Sequence, residues 1–381
     1  MKLLIVVTHL LGTGHLSRAL TLARAFTTGG HEVHIASGGM SAPQLDSSGV
    51  SMIQLPPLRS DGVNFTRLLD IKNNEANAEY RAERQAKLAT ALQTIQPDVL
   101  ITELFPFGRR SLRDEFDHLL CKARALPQPP LIFSSIRDIL APPSKPAKAQ
   151  FADDVVAQFY DGVLVHSDPA ITPLALSWPV NDATEKKLHY TGFVAPPSPP
   201  RSVDAAGLDE ILISAGGGDV GDHLFATAKG AAALDPHRTW RILIGGQNAD
   251  KRVQDLRLGA PKNLTIETAR SDFRSMLHHA AASVSMCGYN TALDVLQTGV
   301  PAVFVPFDAG GEVEQSLRAK ALETQDGIAV LTSDNATPET LLSAVRHVIN
   351  AAKRTPATTG FDGAAETMRI VETLLAQRSK Q

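Results

Sequence analysis

Short runs rich in Val, Ile and Leu recur along this chain with helical patterns between them, and the alternation begins twice. In the first half the runs are "KLLIVV" (2–7), "EVHIAS" (32–37), "SMIQL" (51–55), "DVLIT" (98–102), "LIFSS" (131–135) and "GVLVH" (162–166). Helical patterns lie between most of them, for example at 15–28, 74–95 and 108–124. Strands that are apolar throughout are buried on both faces, which requires a parallel sheet covered by helices. The predicted class is therefore α/β.

The clustered prolines Pro196, Pro197, Pro199 and Pro200 stop the first series, because proline continues neither a helix nor a central strand. Beyond them the alternation restarts with "EILISA" (210–215), "TWRILIG" (239–245), "NLTIE" (263–267), "ASVSMC" (282–287), "PAVFVP" (301–306) and "GIAVL" (327–331). The expected organisation is a first domain over 1–195, a proline-rich linker over 196–208 and a second domain over 209–360. A C-terminal helix follows in 361–381; the pattern leaves open whether it crosses back to the first domain.

Bulk composition narrows the function classes. The formal charge of -3, with no basic block, argues against nucleic acid as a partner. Two cysteines, Cys121 and Cys287, make no disulfide framework, so a reducing compartment is expected. The run Leu3–Val7 is too short for the core of a signal peptide, and no run approaches the length of a membrane span. A cytoplasmic protein is expected, with peripheral contact to the inner face of a membrane left open.

"THLLGTGHLSRALTLARAF" (8–26) places a Gly-x-Gly turn and a histidine between the first strand and an amphipathic helix. A dinucleotide site needs a third glycine and an acidic residue closing the second strand. Ser17 stands at the first position, and the second strand ends "IASGG", so that reading fails twice. What remains is a turn at Gly12 and Gly14 with exposed amides at a helix N-terminus, suited to an anion. His15 sits in the first turn of that helix. The plain alternative is that the glycines only make the turn and His15 is solvated. The second half repeats the device with Gly216, Gly217 and Gly218 ahead of another helix. Two such turns at equivalent places predict one ligand bound at the domain interface.

"SVSMCGYNTALDVLQTGVPAVFVPFDAGGEVEQSLRAKAL" (283–322) is the richest stretch. A strand ends at Met286 or Cys287, Gly288 permits a close turn, and a helix begins near Asn290 or Thr291. Such a helix start favours a diphosphate. Asp294 lies one turn further on and can accept hydrogen bonds from sugar hydroxyls. Glu314 and Gln315 open the next helix and can bind more of them.

These segments resemble a known family. "GTGHLSRALTLARAF" and "SMCGYNTALDVLQTGVPAVFVPF" are similar to the signatures of GT-B glycosyltransferases of family 28 type, which include the N-acetylglucosaminyltransferases of the peptidoglycan lipid intermediate. The chain resembles more nearly a group of uncharacterised glycosyltransferase-like proteins carrying "ITELFPFGRR" and "SIRDIL" segments. The resemblance implies a GT-B fold: two Rossmann-like, doubly wound parallel-sheet domains facing across a cleft. It implies that Cys287, Gly288, Asn290 and Thr291 receive a donor diphosphate, with Gly216–Gly218 lying over it. Asp294 would hold the ribose of a UDP-type donor, Glu314 and Gln315 the sugar, and Arg270 and Phe273 the base. Two departures stand out. The family's paired glutamines are Glu314–Gln315 here, and its ribose glutamate is Asp294, one methylene shorter.

Sugar transfer needs a stabilised leaving diphosphate, a base near neutrality and exclusion of water. His15 is the first candidate base. Glu103 is second, with pairing to Arg109 as its structural alternative; Asp138 and His166 also sit at strand ends. No cofactor is expected, and no Asp-x-Asp motif suggests a metal; Asp153–Asp154 reads as a solvated helix face. In the long segment 55–77, Leu58, Phe65, Leu68 and Leu69 fit either a lipid-linked acceptor or ordinary packing, and packing is favoured. The expected reaction moves a hexose or N-acetylhexosamine from a nucleotide-diphosphate sugar, UDP-linked by preference, to an unidentified acceptor hydroxyl. The rival is a nucleotide-sugar hydrolase of the same fold in which His15, in the turn Gly12–Arg18, activates water. A non-hydrolysing epimerase and a non-catalytic binding module rank behind both.

Overall fold

A computed structural model describes all residues except 11, 44, 61–66, 201–205, 217–219, 247, 309–311, 353 and 381. The chain divides into two compact units, Met1–Pro196 with Gly360–Gln381, and Pro197–Thr359.

The first unit contains strands β1 (Lys2–Val7), β2 (Glu32–Ser37), β3 (Ser51–Gln54), β4 (Arg59–Ser60), β5 (Leu68–Leu69), β6 (Val99–Glu103), β7 (Leu131–Arg137), β8 (Gly162–His166) and β9 (Leu188–Tyr190). Seven of them form a sheet in the order β3-β2-β1-β6-β7-β8-β9, every pair parallel. β4 and β5 make a separate antiparallel pair. Successive side chains of a strand point to opposite faces, and here both faces are covered. Leu4, Val6, Leu100, Ile132 and Val163 pack with Leu88, Leu92, Phe116 and Val156 on one face. Leu3, Ile5, Val99, Ile101 and Phe133 pack with Leu16, Leu20, Phe26 and Val371 on the other. Each fully buried Leu, Val or Phe contributes about 1.5–3 kcal/mol relative to exposure.

Val371 belongs to the last helix, Gly363–Arg378, which is part of the first unit. That helix starts against the chain at Gly192 and Phe193: a Cβ on Gly363 would stand 2.5 Å from the Gly192 carbonyl oxygen, so only glycine fits. Leu58, Leu68 and Leu69 are buried in the first unit, whereas Phe65 lies outside the described residues. Asp153 departs from the solvated-face reading. It is buried in helix Pro146–Phe159 and accepts a hydrogen bond from Thr184 Oγ1 at 2.5 Å, while Asp154 is exposed.

The second unit contains β10 (Ile211–Ser214), β11 (Trp240–Ile244), β12 (Leu264–Thr268), β13 (Ala282–Ser285), β14 (Ala302–Phe304) and β15 (Ile328–Val330), in the order β12-β11-β10-β13-β14-β15 and all parallel. Helices Asp222–Ala233 and Pro338–Asn350 bury Leu224, Phe225, Leu341 and Val345 in its core. The second of these is started by a capping box between Thr337 and Thr340 with Pro338 at its first position.

Both sheets reverse their strand order beside their first strand, at β1/β6 in one and β10/β13 in the other. In open α/β sheets the crevice outside the carboxyl ends of the strands at such a reversal is the usual ligand site. His15 opens the helix that follows β1 and Glu103 closes β6, while the turns leaving β10 and β13 carry Gly216 and Gly288.

Candidate functional site

In the first unit, helix Gly14–Thr28 begins directly after the turn that leaves β1, which sets His15 beside the end of β6. His15 Nδ1 lies 2.9 Å from Glu103 Oε1. Arg18, one turn further along the helix, also reaches Glu103 Oε1, and its Nη2 stands 3.2 Å from His15 Nδ1. A guanidinium only donates and a carboxylate only accepts, so the two neighbours ask for opposite tautomers. The nearer, charged carboxylate decides: Nδ1 carries the proton, and Nε2 keeps its lone pair. Among the described residues no hydrogen-bond partner meets Nε2, and the His15 side chain is 16% exposed.

Glu103 is buried and its environment is fully organised. Burial pushes its carboxyl up, but the Arg18 charge and hydrogen bonds from His15 and Ser135 outweigh this and hold it well below the usual carboxylate range. Ser135 Oγ donates to Oε2 at 2.8 Å and lies 2.9 Å from His166 Nε2. His166 Nδ1 lies 2.9 Å from Thr191 Oγ1. The segment after Glu103 is equally fixed. Leu104 adopts a left-handed φ of 70°, unusual for a residue with a side chain. Thr102 Oγ1 and Ser134 Oγ both donate to the Phe105 carbonyl, at 3.1 and 2.8 Å, and hold that strained backbone in place.

Burial lowers the His15 imidazole to about 3 against the raising pull of Glu103, with Arg109 adding to the lowering. Burial also lowers His166 to about 3, Arg18 adding to it. Both rings are therefore neutral at ordinary pH. They differ in access: both nitrogens of His166 are engaged, and the residue is completely buried, so it is not an available base. Glu103 does not pair with Arg109. Its cation is Arg18, while Arg109 Nε donates to the Thr8 carbonyl at 2.7 Å. Asp138 is buried one residue past the end of β7.

Gly14 and Gly288 have no left-handed φ, and a Cβ on either would meet nothing within 4 Å. Among the described residues, neither strain nor packing requires glycine there. Gly12 and Gly216 also face open space, but with φ of +29° and +80° their backbones favour glycine anyway. Gly217 and Gly218 lie outside the described residues.

In the second unit, Gly288 caps helix Tyr289–Thr298 from an extended conformation, so the helix begins one residue ahead of Asn290 and two ahead of Thr291. Cys287, buried, accepts a hydrogen bond on its carbonyl from Arg318 Nη1 at 3.0 Å; the same guanidinium lies 5.8 Å from the Tyr289 ring centre. Arg318 belongs to helix Glu314–Leu322, whose first residues are Glu314 and Gln315. Gln315 Oε1 accepts from the Phe307 amide at 3.2 Å. Asp294 is held by Arg274, Nε to Oδ1 at 2.6 Å, and Arg274 also donates to Gln297 Oε1 at 3.0 Å. Burial raises the Asp294 carboxyl despite that cation. Arg270 is paired with Asp272 at 2.8 and 2.7 Å and is partly exposed, as is Phe273.

The sequence reading missed Arg18 as the partner of Glu103, and Ser135, Arg274 and Arg318 altogether. Arg18 was legible as the residue one turn after His15. The other three depend on sheet order and helix docking, which no local pattern reports. Among the described residues no group of three His, Cys, Asp or Glu is placed to hold a metal ion, and no helix is long and apolar enough to cross a membrane.

Comparison with known proteins agrees with this architecture. Residues 215–370 match the glycosyltransferase family 28 C-terminal domain. An uncharacterized glycosyltransferase of Methanosarcina acetivorans is 24% identical over 350 residues, 89% of this chain and 87% of that protein. The crystal structure of the kitacinnamycin glycotransferase superposes with a TM-score of 0.64 at 17% identity, covering 99% of this chain and 98% of that one. MurG of Acinetobacter baumannii superposes with a TM-score of 0.61 at 18% identity, covering 99% and 100%. The chain carries a family 28 C-terminal domain on a GT-B fold, and it is a glycosyltransferase.

Proposed function

We propose that this glycosyltransferase moves a hexose or N-acetylhexosamine from a nucleotide-diphosphate sugar, UDP-linked, to an acceptor hydroxyl without a metal. His15 is the base. Its Nε2 takes the acceptor's proton as the acceptor oxygen bonds to the anomeric carbon, and the bond from that carbon to the diphosphate oxygen breaks with its electron pair. Glu103 stabilises the imidazolium that forms, the role of a carboxylate behind a catalytic histidine. The amides at the start of helix Tyr289–Thr298 receive the diphosphate, with Cys287, Gly288, Asn290 and Thr291 around it and the Gly216–Gly218 turn over it. Asp294 takes the ribose hydroxyls, Glu314 and Gln315 the sugar, and Arg270 and Phe273 the nucleobase. Asp138 is assigned to acceptor contact. The observation that carries the reading is His15 Nδ1 on Glu103 Oε1 at 2.9 Å, which leaves Nε2 as a free lone pair.

The test is incubation with a panel of nucleotide-sugars, with and without acceptors, in buffer containing a chelator, followed by assay of released nucleotide. Slow release that one acceptor accelerates supports the transferase. Rapid multi-turnover release without any acceptor supports the hydrolase, with the same histidine acting on water. Loss of activity to the chelator, restored by a divalent cation, contradicts the metal-free proposal.

A further inference from the structure

We propose that Ser135 and His166 are positioning residues for the His15–Glu103 pair: together they pin Glu103 Oε2, so that Oε1 alone faces the imidazole of His15. The proposal rests on the reading of His15 as the base, and it concerns two residues that touch no substrate.

The argument is one of proton direction. Glu103, ionised beside Arg18, can only accept. The single proton of the Ser135 hydroxyl therefore goes to Oε2, 2.8 Å away. Ser135 Oγ must then accept from His166 Nε2, 2.9 Å away, which puts the His166 proton on Nε2. His166 Nδ1 faces Thr191 Oγ1 at 2.9 Å, a hydroxyl that also donates to the Gly192 carbonyl at 2.8 Å. The links His166, Ser135, Glu103 thus run in one direction, toward the carboxylate, while Glu103 is charged. Three adjacent parallel strands supply the three residues: Glu103 and His166 end β6 and β8, and Ser135 lies two residues before the end of β7, in the register Glu103↔Ser135 and Arg137↔His166. Ser135 and His166 are fully buried, so water does not replace a lost member. Without Ser135 the carboxylate has an unpaired oxygen and is free to turn. His15 Nδ1 then loses the fixed acceptor that selects its tautomer.

The test uses the full chain labelled with 15N at its twelve histidines. Two-bond proton–nitrogen correlation reports each tautomer, and the His15 signals are those lost in His15→Gln. The wild-type protein is expected to show a proton on His15 Nδ1 and a bare Nε2. Ser135→Ala and His166→Leu are expected to introduce the second tautomer and to lower kcat about 10-fold at unchanged KM, the loss expected when about 1.4 kcal/mol of transition-state stabilisation goes. Ser135→Thr, which keeps the hydroxyl, and His166→Gln, which keeps a donor toward Ser135, are expected to restore the single tautomer and the rate. If Ser135→Ala does not fold, His166→Leu makes the same comparison. A folded variant lacking these links, with the His15 tautomer and kcat unchanged, overturns the positioning proposal alone. A wild-type His15 protonated on Nε2 overturns the base reading instead, so the two failures are told apart.

Discussion

His15 Nδ1 and Glu103 Oε1 stand 2.9 Å apart across 88 residues of sequence. They meet because β1 and β6 are neighbours at the point where the first sheet reverses its order. One residue opens the helix after β1 and the other closes β6, so the pair is a product of topology.

The first prediction concerns that carboxylate. Glu103→Ala removes both the anchor of the tautomer and the charge opposite the imidazolium, and kcat is expected to fall by about 10²–10⁴-fold, the usual worth of general base catalysis. Glu103→Gln keeps an oxygen for Nδ1–H, but it loses the charge and its amide nitrogen, turned to Ser135, can no longer accept from that hydroxyl. Its kcat is expected to lie clearly above that of the alanine variant. Equal kcat values for the two would contradict the tautomer argument.

Acid should unfold the first unit through its buried histidines. His15 and His166 are held near 3 in the folded chain, against an unfolded value near 6.5. The unfolded state therefore binds more protons between those values, and stability rises with pH through that window. The contribution is complete above about pH 6.5 and is lost progressively as pH falls toward 3. Melting temperatures measured from pH 7 to pH 4 should fall more steeply for the wild type than for His166→Gln, which has one fewer buried imidazole to protonate. Parallel curves would show that His166 titrates normally.

Gly14→Ala and Gly288→Ala should separate folding from binding. Neither backbone needs glycine and no described residue crowds either position, so stability should change by less than about 1 kcal/mol, the gain from a stiffer unfolded chain being offset at Gly288 by alanine's poorer N-cap. Ligand binding to Gly288→Ala should weaken, because in the proposed site the added methyl stands where the diphosphate approaches the amides, whereas Gly14→Ala tests whether the first glycine turn also meets a ligand. Calorimetric titration with UDP against Gly288→Ala checks this, with the melting temperature as the control. Undiminished affinity would return Gly288 to a simple turn.

Asp294→Ala is expected to weaken nucleotide binding about 10-fold or more, since a hydrogen bond to a charged group contributes about 1.5–3 kcal/mol. The same substitution leaves Arg274 without its carboxylate, at 27% side-chain exposure, so water can solvate it and the loss of stability should be small. Thermal shift with nucleoside diphosphates compares the two effects in one experiment. Unchanged affinity would remove Asp294 from the ribose and leave it as the partner of Arg274.

Much of the fold was legible because parallel strands buried on both faces write themselves as continuous apolar runs. The runs at 2–7, 98–102 and 282–287 locate β1, β6 and β13 to within two residues at either end. β9 was not legible: Leu188–Tyr190 is a three-residue edge strand with no apolar run of its own. The local elements of the candidate site were legible: helices begin directly after the glycine turn, at Gly14, and after Gly288, close to where the sequence put them. The site was illegible where chemistry depends on neighbours across the sheet. Ser135 is an ordinary serine within "LIFSS" until strand order sets it between Glu103 and His166. Asp153 was misread for the same reason, since its partner Thr184 comes from a separate short helix.

The central claim is that His15 does chemistry and does not merely hold the donor. The direct measurement is His15→Ala, comparing nucleotide affinity by calorimetry with sugar-transfer turnover on whichever donor the panel identifies. The account predicts affinity within about 3-fold of wild type and turnover lower by about 10²-fold or more. Equal loss of affinity and turnover, or turnover that survives the substitution, would contradict it.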